Sequence, residues 1–291
     1  MTTSSSTPTT RPVQHLPTSF GDVAITDTGG PAADEPAALF VHGVFANGHL
    51  WRHVIDRFRH RRRCITVDLL AHGETRTPPG QDLSFRAQAE MLDAVVAGLG
   101  LDQVDVVAND SGGGIAQIFA ARHPDRIRTL TLTNCDVHDN WPPAALAPTR
   151  ELIAAGGFAD LAEQLLADVD AARAAFAVAY EHPERVAPET FHTYLGPLVA
   201  SPESVRTFER WFDSIHDCSD TVEVEPLLRQ LEAPTLVVWG TGDVFFDVEW
   251  AYWLRDTIPG CDRVIELDGA MLFFPEERPD ELSAALLEHW A

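Results

Sequence analysis

The residues most able to do chemistry stand in one short run, Asn109-Asp110-Ser111-Gly112-Gly113-Gly114, directly after the apolar stretch Val104–Ala108. A strand enters this turn and a helix leaves it. Small neighbours suit such a turn, because its backbones pass close together and its apex takes an unusual φ. The apex side chain, Asp110 or Ser111, then stands over a helix N-terminus. The backbone N–H that follows it is free to hold an oxyanion. The plainer alternative is a glycine-rich turn whose Asp merely caps a helix.

The elements needed to position this turn can be read on either side of it. Ala37–Val41, Cys64–Val67, Val104–Ala108, Thr129–Thr133, Thr235–Val238 and Arg263–Leu267 are short apolar or β-branched runs and predict strands. Helices are predicted over Trp51–Arg59, Ser84–Leu99, from the turn to His123, over Trp250–Thr257 and over Pro279–Trp290. This alternation means an α/β fold with a mostly parallel sheet covered on both faces. From Asp136 to Glu232 the alternation stops. Ala-rich helical stretches such as Ala159–Asp168 and Ala171–Tyr180 replace it, and a helical cap over 136–232 is expected between core segments 13–135 and 233–291. Residues 1–12, rich in Ser, Thr and Pro, are expected to form a disordered tail.

Composition narrows the chemistry. The 291 residues carry a net charge of −23, and all 21 basic residues are arginine. Without lysine there is no Schiff-base or P-loop chemistry. The acidity argues against nucleic acid and anionic membrane surfaces as partners. Four scattered cysteines (Cys64, Cys135, Cys218 and Cys261) form no metal-binding or redox spacing, so no metal and no cofactor is expected. No signal peptide is evident, which suggests a cytoplasmic protein, monomeric or homodimeric. The proposed cap is the more acidic part per residue, which would disfavour anionic substrates.

The turn resembles the nucleophile elbow of the α/β-hydrolase superfamily, small-x-nucleophile-x-small. Ala108-Asn109-Asp110-Ser111-Gly112 places Asp110 at the apex; a shift by one places Ser111 there, with Asn109 where a small residue belongs. The first register is preferred. Other segments resemble the same superfamily in the same order. They are His42-Gly43-Val44-Phe45, Asn47–Trp51, Asp68–Gly73, His123-Pro124-Asp125-Arg126 with the strand after it, and Trp239-Gly240-Thr241-Gly242-Asp243. The resemblance covers about residues 23–290. It implies an oxyanion hole from the Val44 and Ser111 amides with His42 orienting the loop, and a triad acid at Asp243.

An aspartate nucleophile is similar to that of epoxide hydrolases and haloalkane dehalogenases, in which a carboxylate attacks carbon and a histidine then activates water. Here the string that would carry the histidine reads Gly269-Ala270-Met271-Leu272-Phe273-Phe274-Pro275, with Leu272 in its place. Three arrangements follow. His138, beside Asp136 after the sixth strand, could be the base, with His49 and His72 as weaker candidates. Asp110 could act as an acid or base in a cyclisation, isomerisation or elimination, as in natural-product biosynthesis. The protein could instead bind a small molecule without chemistry. Tyr180 and Tyr194 match by number the two cap tyrosines that protonate an opening epoxide, so epoxide opening is mildly preferred to dehalogenation. Phe45, Trp141, Trp211, Phe245 and Leu272 are expected to line a pocket for a neutral apolar substrate.

Overall fold

The computed structural model describes residues 12–30 and 36–291. The expected tail, apart from Pro12, lies outside the described residues. Strands β1 (Gln14–Thr18), β2 (Gly21–Asp27), β3 (Ala37–Val41), β4 (Cys64–Val67), β5 (Val104–Asp110), β6 (Ile127–Cys135), β7 (Thr235–Gly240) and β8 (Cys261–Leu267) form one sheet. Their order is β1-β2-β4-β3-β5-β6-β7-β8. β1 pairs antiparallel with β2, and β2 antiparallel with β4; every other pair is parallel. The six strands expected from sequence are β3 to β8; the leading hairpin is an addition to them.

β3, β4, β5 and β7 are buried along their whole length, which is why apolar residues dominate them. The helix Phe85–Gly98 shows the opposite pattern. Ala87, Met91, Leu92, Val95 and Val96 face the sheet, Ser84 caps the start by accepting from the Ala87 N–H at 3.2 Å, and Gly100 follows the end with φ 67°.

Between β6 and β7 run helices Ala147–Ala154, Phe158–Ala167, Val169–Phe176, Pro188–Leu195, Pro202–Ser214, Ser219–Glu223 and Glu225–Leu228. The helix expected at Ala171–Tyr180 starts earlier and ends at Phe176, because Ala177–Tyr180 turns towards the core. Among the described residues no helix is long and apolar enough to cross a membrane.

The parallel strands β3, β5, β6 and β7 all point their carboxyl ends to one edge. Val41 pairs with Ala108, and Asp110 with Cys135. In an open parallel sheet that edge is where ligands bind.

Candidate active site

Asp110 is the last residue of β5 and has φ 57° and ψ −137°. An L-residue with a side chain adopts that conformation only when its surroundings impose it. Three glycines impose it here. A Cβ on Gly112 would lie 2.1 Å from the His42 carbonyl oxygen, and one on Gly113 would lie 2.3 Å from Cys135 Cβ. A Cβ on Gly43 would lie 2.3 Å from Asp110 Cβ. Ser111 is already the first residue of the helix Ser111–Arg122. Asp110 is therefore the apex of the turn, and Ser111 contributes its backbone.

The Ser111 and Val44 amides both point at the Asp110 carboxyl. His42 shapes that loop. Its Nδ1 donates to Gly43 O at 2.8 Å, and its Nε2 accepts from the Leu69 N–H at 3.0 Å. Burial lowers its pKa to about 4, so the ring is neutral, as this bonding pattern requires.

Burial raises the Asp110 pKa to about 7, and the nearby Asp243 charge adds to this; the two amides oppose it. Asp243 is also raised to about 7 by burial, against hydrogen bonds from the Phe245 N–H at 2.8 Å and Asn134 Nδ2 at 2.8 Å. Asp136 is pushed well above its ordinary value by burial and by both other carboxyls, and neither of its oxygens has a hydrogen-bond partner. Asp110 Oδ2 also lacks one.

Asp110 opens into a cavity of about 170 Å³. Phe45, Trp141, Phe245 and Leu272 line it, together with Val44 and Phe273. Among the described residues Asp110 is the only ionisable side chain on its wall, and Thr149 is the one neutral hydroxyl. The Trp141 indole N–H is committed to the Ile215 carbonyl. Phe158, Leu161, Leu165 and Phe176, from the segment between β6 and β7, complete the wall. Their sequence reading stopped at "helical", although Phe158, Leu161 and Leu165 already recur at helix spacing.

Several expected site residues are elsewhere. His138 is not near Asp110: its Nδ1 contacts Asp139 at 3.1 Å and its Nε2 contacts Glu225 at 3.0 Å, so both ring nitrogens face carboxylates away from the cavity. It does have φ 48°, the mark of a sharp turn out of β6. His72 is buried edge-on against Trp211 at 4.5 Å, and His49 packs on Tyr194. Among the described residues no histidine lines the cavity. Trp211 is core, packed on His72, Phe208 and Phe212. Tyr180 and Tyr194 do not reach the cavity either. Their hydroxyls donate to Glu276 Oε2 at 2.9 and 2.8 Å, while Arg52 pairs with Glu276 Oε1. Burial pushes the Glu276 carboxyl up, but Arg52 and the tyrosines outweigh it and hold it below its ordinary value.

Two asparagines were missed. Asn109 Nδ2 donates to Thr133 Oγ1 at 3.0 Å and to Leu272 O at 3.1 Å, which ties the Leu272 loop to the elbow. Asn134 donates to Gly240 O at 3.0 Å and accepts from the Gly240 N–H at 2.6 Å, besides holding Asp243. The available signal was an amide residue at the end of each of two apolar strands, where a buried polar group must have partners.

Comparison with known proteins agrees with this fold. The sequence pattern of the alpha/beta hydrolase fold matches residues 36–182. Haloalkane dehalogenase 2 of Mycobacterium tuberculosis is 27% identical, over 88% of both chains. Among solved structures, haloalkane dehalogenase DbeA from Bradyrhizobium elkani superposes with a TM-score of 0.77 at 20% identity, covering 96% of this chain and 97% of that one. A thermophilic esterase from Thermogutta terrifontis gives 0.72 at 22% identity, covering 96% and 97%. At such identities the structural likeness speaks for the fold alone. On the matched sequence and the shared architecture, the chain belongs to the α/β-hydrolase fold family and is similar in sequence to haloalkane dehalogenases.

Proposed function

We propose that this enzyme acts on a neutral, apolar small molecule, with Asp110 as nucleophile and the helical segment 136–232 as the cap over it. The observation that carries the reading is Asp110 itself. It is an elbow-apex carboxyl facing two amides, with one oxygen unpartnered, and it is the sole ionisable group on an apolar cavity. In the reaction a carboxylate oxygen bonds to an electrophilic carbon. The bond from that carbon to its leaving group breaks, and the electron pair departs with the leaving group. The products are an Asp110 ester and, for a haloalkane, a halide ion.

Displacement of halide is preferred to epoxide opening. An epoxide needs an acid for its oxygen, and the hydroxyls of Tyr180 and Tyr194 are engaged by Glu276. The similarity of the chain to haloalkane dehalogenases points the same way. Water attack on the ester needs a proton acceptor, and no imidazole lines the cavity. Asp136 has two unpartnered oxygens, but burial holds it protonated and it does not line the cavity, so de-esterification is slow. Incubation with a panel of 1-haloalkanes, followed by halide release, tests this. A burst approaching one halide per chain, followed by a much slower phase, is expected. Absence of release across the panel contradicts the reading.

A second reading rests on a different observation. Apart from the Thr149 hydroxyl, no side chain on the cavity wall is free to donate a hydrogen bond to a departing anion. A carboxyl with pKa about 7 is suited to proton transfer at neutral pH. In this form Asp110 is the acid–base group of an isomerisation or cyclisation. Solvent-deuterium exchange into an enolisable apolar ketone, lost in Asp110→Asn, would favour it.

A further inference from the structure

We propose that the Asp110 cavity is a binding site for an apolar primary ammonium ion, whose charged head pairs with Asp110 while its hydrocarbon part fills the chamber. The proposal rests on the placement of Asp110 and not on its acting as a nucleophile.

Asp110, on the cavity wall, has two further buried carboxyls, Asp136 and Asp243, as electrostatic neighbours and no counter-charge beside it among the described residues. Asp110, Asp136 and Asp243 are all buried, at 2%, 0% and 8% exposure. The other titratable group facing them is the Cys135 thiol, itself pushed well up by burial and the three carboxyls. No arginine or histidine lines the cavity, and the chain has no lysine. A buried acceptor without a partner is costly. Asp110 Oδ2 is such an acceptor, and it belongs to the one ionisable residue on the cavity wall. A neutral hydrocarbon ligand leaves it unsatisfied. An ammonium head against the cavity face of Asp110 brings the missing positive charge.

The walls suit the same ligand. Phe45, Trp141, Phe158, Phe176, Phe245 and Phe273 surround the chamber. Aromatic faces attract a desolvated cation as well as an apolar body. A cavity of about 150 Å³ holds benzene, so one of about 170 Å³ admits a phenyl ring with a short side chain. An anion would meet the carboxyls directly and be rejected.

Pairing also has a signature in protons. With Asp110 poised near 7, binding of a cation favours its ionised form, so a proton leaves on binding near neutral pH.

The test uses three compounds of nearly equal shape: 2-phenylethylammonium, propylbenzene and phenylacetate. Titration calorimetry at pH 8, and at pH 7 in two buffers of different ionisation enthalpy, reads affinity and proton release. The expected result is that phenylethylammonium binds at least tenfold more tightly than propylbenzene and releases protons at pH 7. Its binding weakens at pH 5 and falls at least tenfold in Asp110→Asn, while propylbenzene binding by that variant is unchanged, which reports an intact pocket. Phenylacetate does not bind. The proposal is overturned if phenylethylammonium fails to bind at millimolar concentration or binds no better than propylbenzene. It is also overturned if Asp110→Asn leaves ammonium binding intact, or if phenylacetate binds as well. None of the compounds carries a leaving group, so the outcome is independent of whether Asp110 can be alkylated.

Discussion

Gly43 and Asp110 are packed so closely that a methyl group on residue 43 would lie 2.4 Å from Asp110 Oδ2. The loop carrying the Val44 amide thus passes directly over the carboxyl it faces. Gly43→Ala must push either the loop or the carboxyl aside. Misplacing a reacting group by about 1 Å costs on the order of 100-fold in rate. Halide release by Gly43→Ala is expected to fall at least that far while the variant still folds; retention of near-wild-type release would show that the contact is slack.

Asp110→Asn separates stability from function. The folded pKa of Asp110 is raised to about 7, so between the unfolded value near 3.8 and about 7 the folded state binds more protons than the unfolded one. Asp110 is therefore least costly below pH 4. Its burden on stability grows as pH rises through this window and is complete above about 7. The neutral asparagine removes that burden. Urea unfolding at pH 8 should show the variant more stable than wild type by on the order of a few kcal/mol, with the gain shrinking towards pH 4. An equal effect at both pH values would mean that folding does not raise the Asp110 pKa.

His138→Ala is expected to leave halide release within about twofold of wild type, since half-exposed groups away from a site rarely matter more. Its ring nitrogens contact Asp139 and Glu225, and no part of it lines the cavity. A loss of release in this variant would restore it as the base.

Glu276 joins helix Phe274–Glu277 to Arg52 in the core and to Tyr180 and Tyr194 in the segment between β6 and β7. Glu276→Leu leaves the Arg52 guanidinium without its buried counter-charge, which typically costs about 3–5 kcal/mol. Glu276→Gln keeps an acceptor and should cost roughly half as much. Chemical denaturation of both variants measures the difference; equal losses would mean that the neutral acceptor contributes nothing and that the charge carries the whole effect.

The elbow was legible in the sequence because its steric demand is local. Gly112 and Gly113 are needed within a few residues of Asp110, and the chain displays them together. The parallel strands were legible because burial on both faces writes them as apolar runs. The hairpin β1–β2 was not, since its first strand is half exposed and mixed in composition. Side-chain destinations were hardest. Tyr180 and Tyr194 had the right type and number for acids, but their partner Glu276 lies 96 and 82 residues away in sequence. Trp211 read as pocket lining because an apolar aromatic residue looks the same in a core and in a cavity. That position 272 carries a leucine was visible; that no histidine among the described residues lines the cavity needed the fold.

The central claim is that Asp110 attacks carbon and keeps the product as an ester. Intact-mass analysis after incubation with 1-bromobutane or a longer homologue, followed by peptide mapping, tests it most directly. The predicted result is a persistent gain of one alkyl group, located on Asp110 and absent from Asp110→Asn. An unmodified protein, or an adduct placed on a cysteine or on any residue other than Asp110, would contradict it.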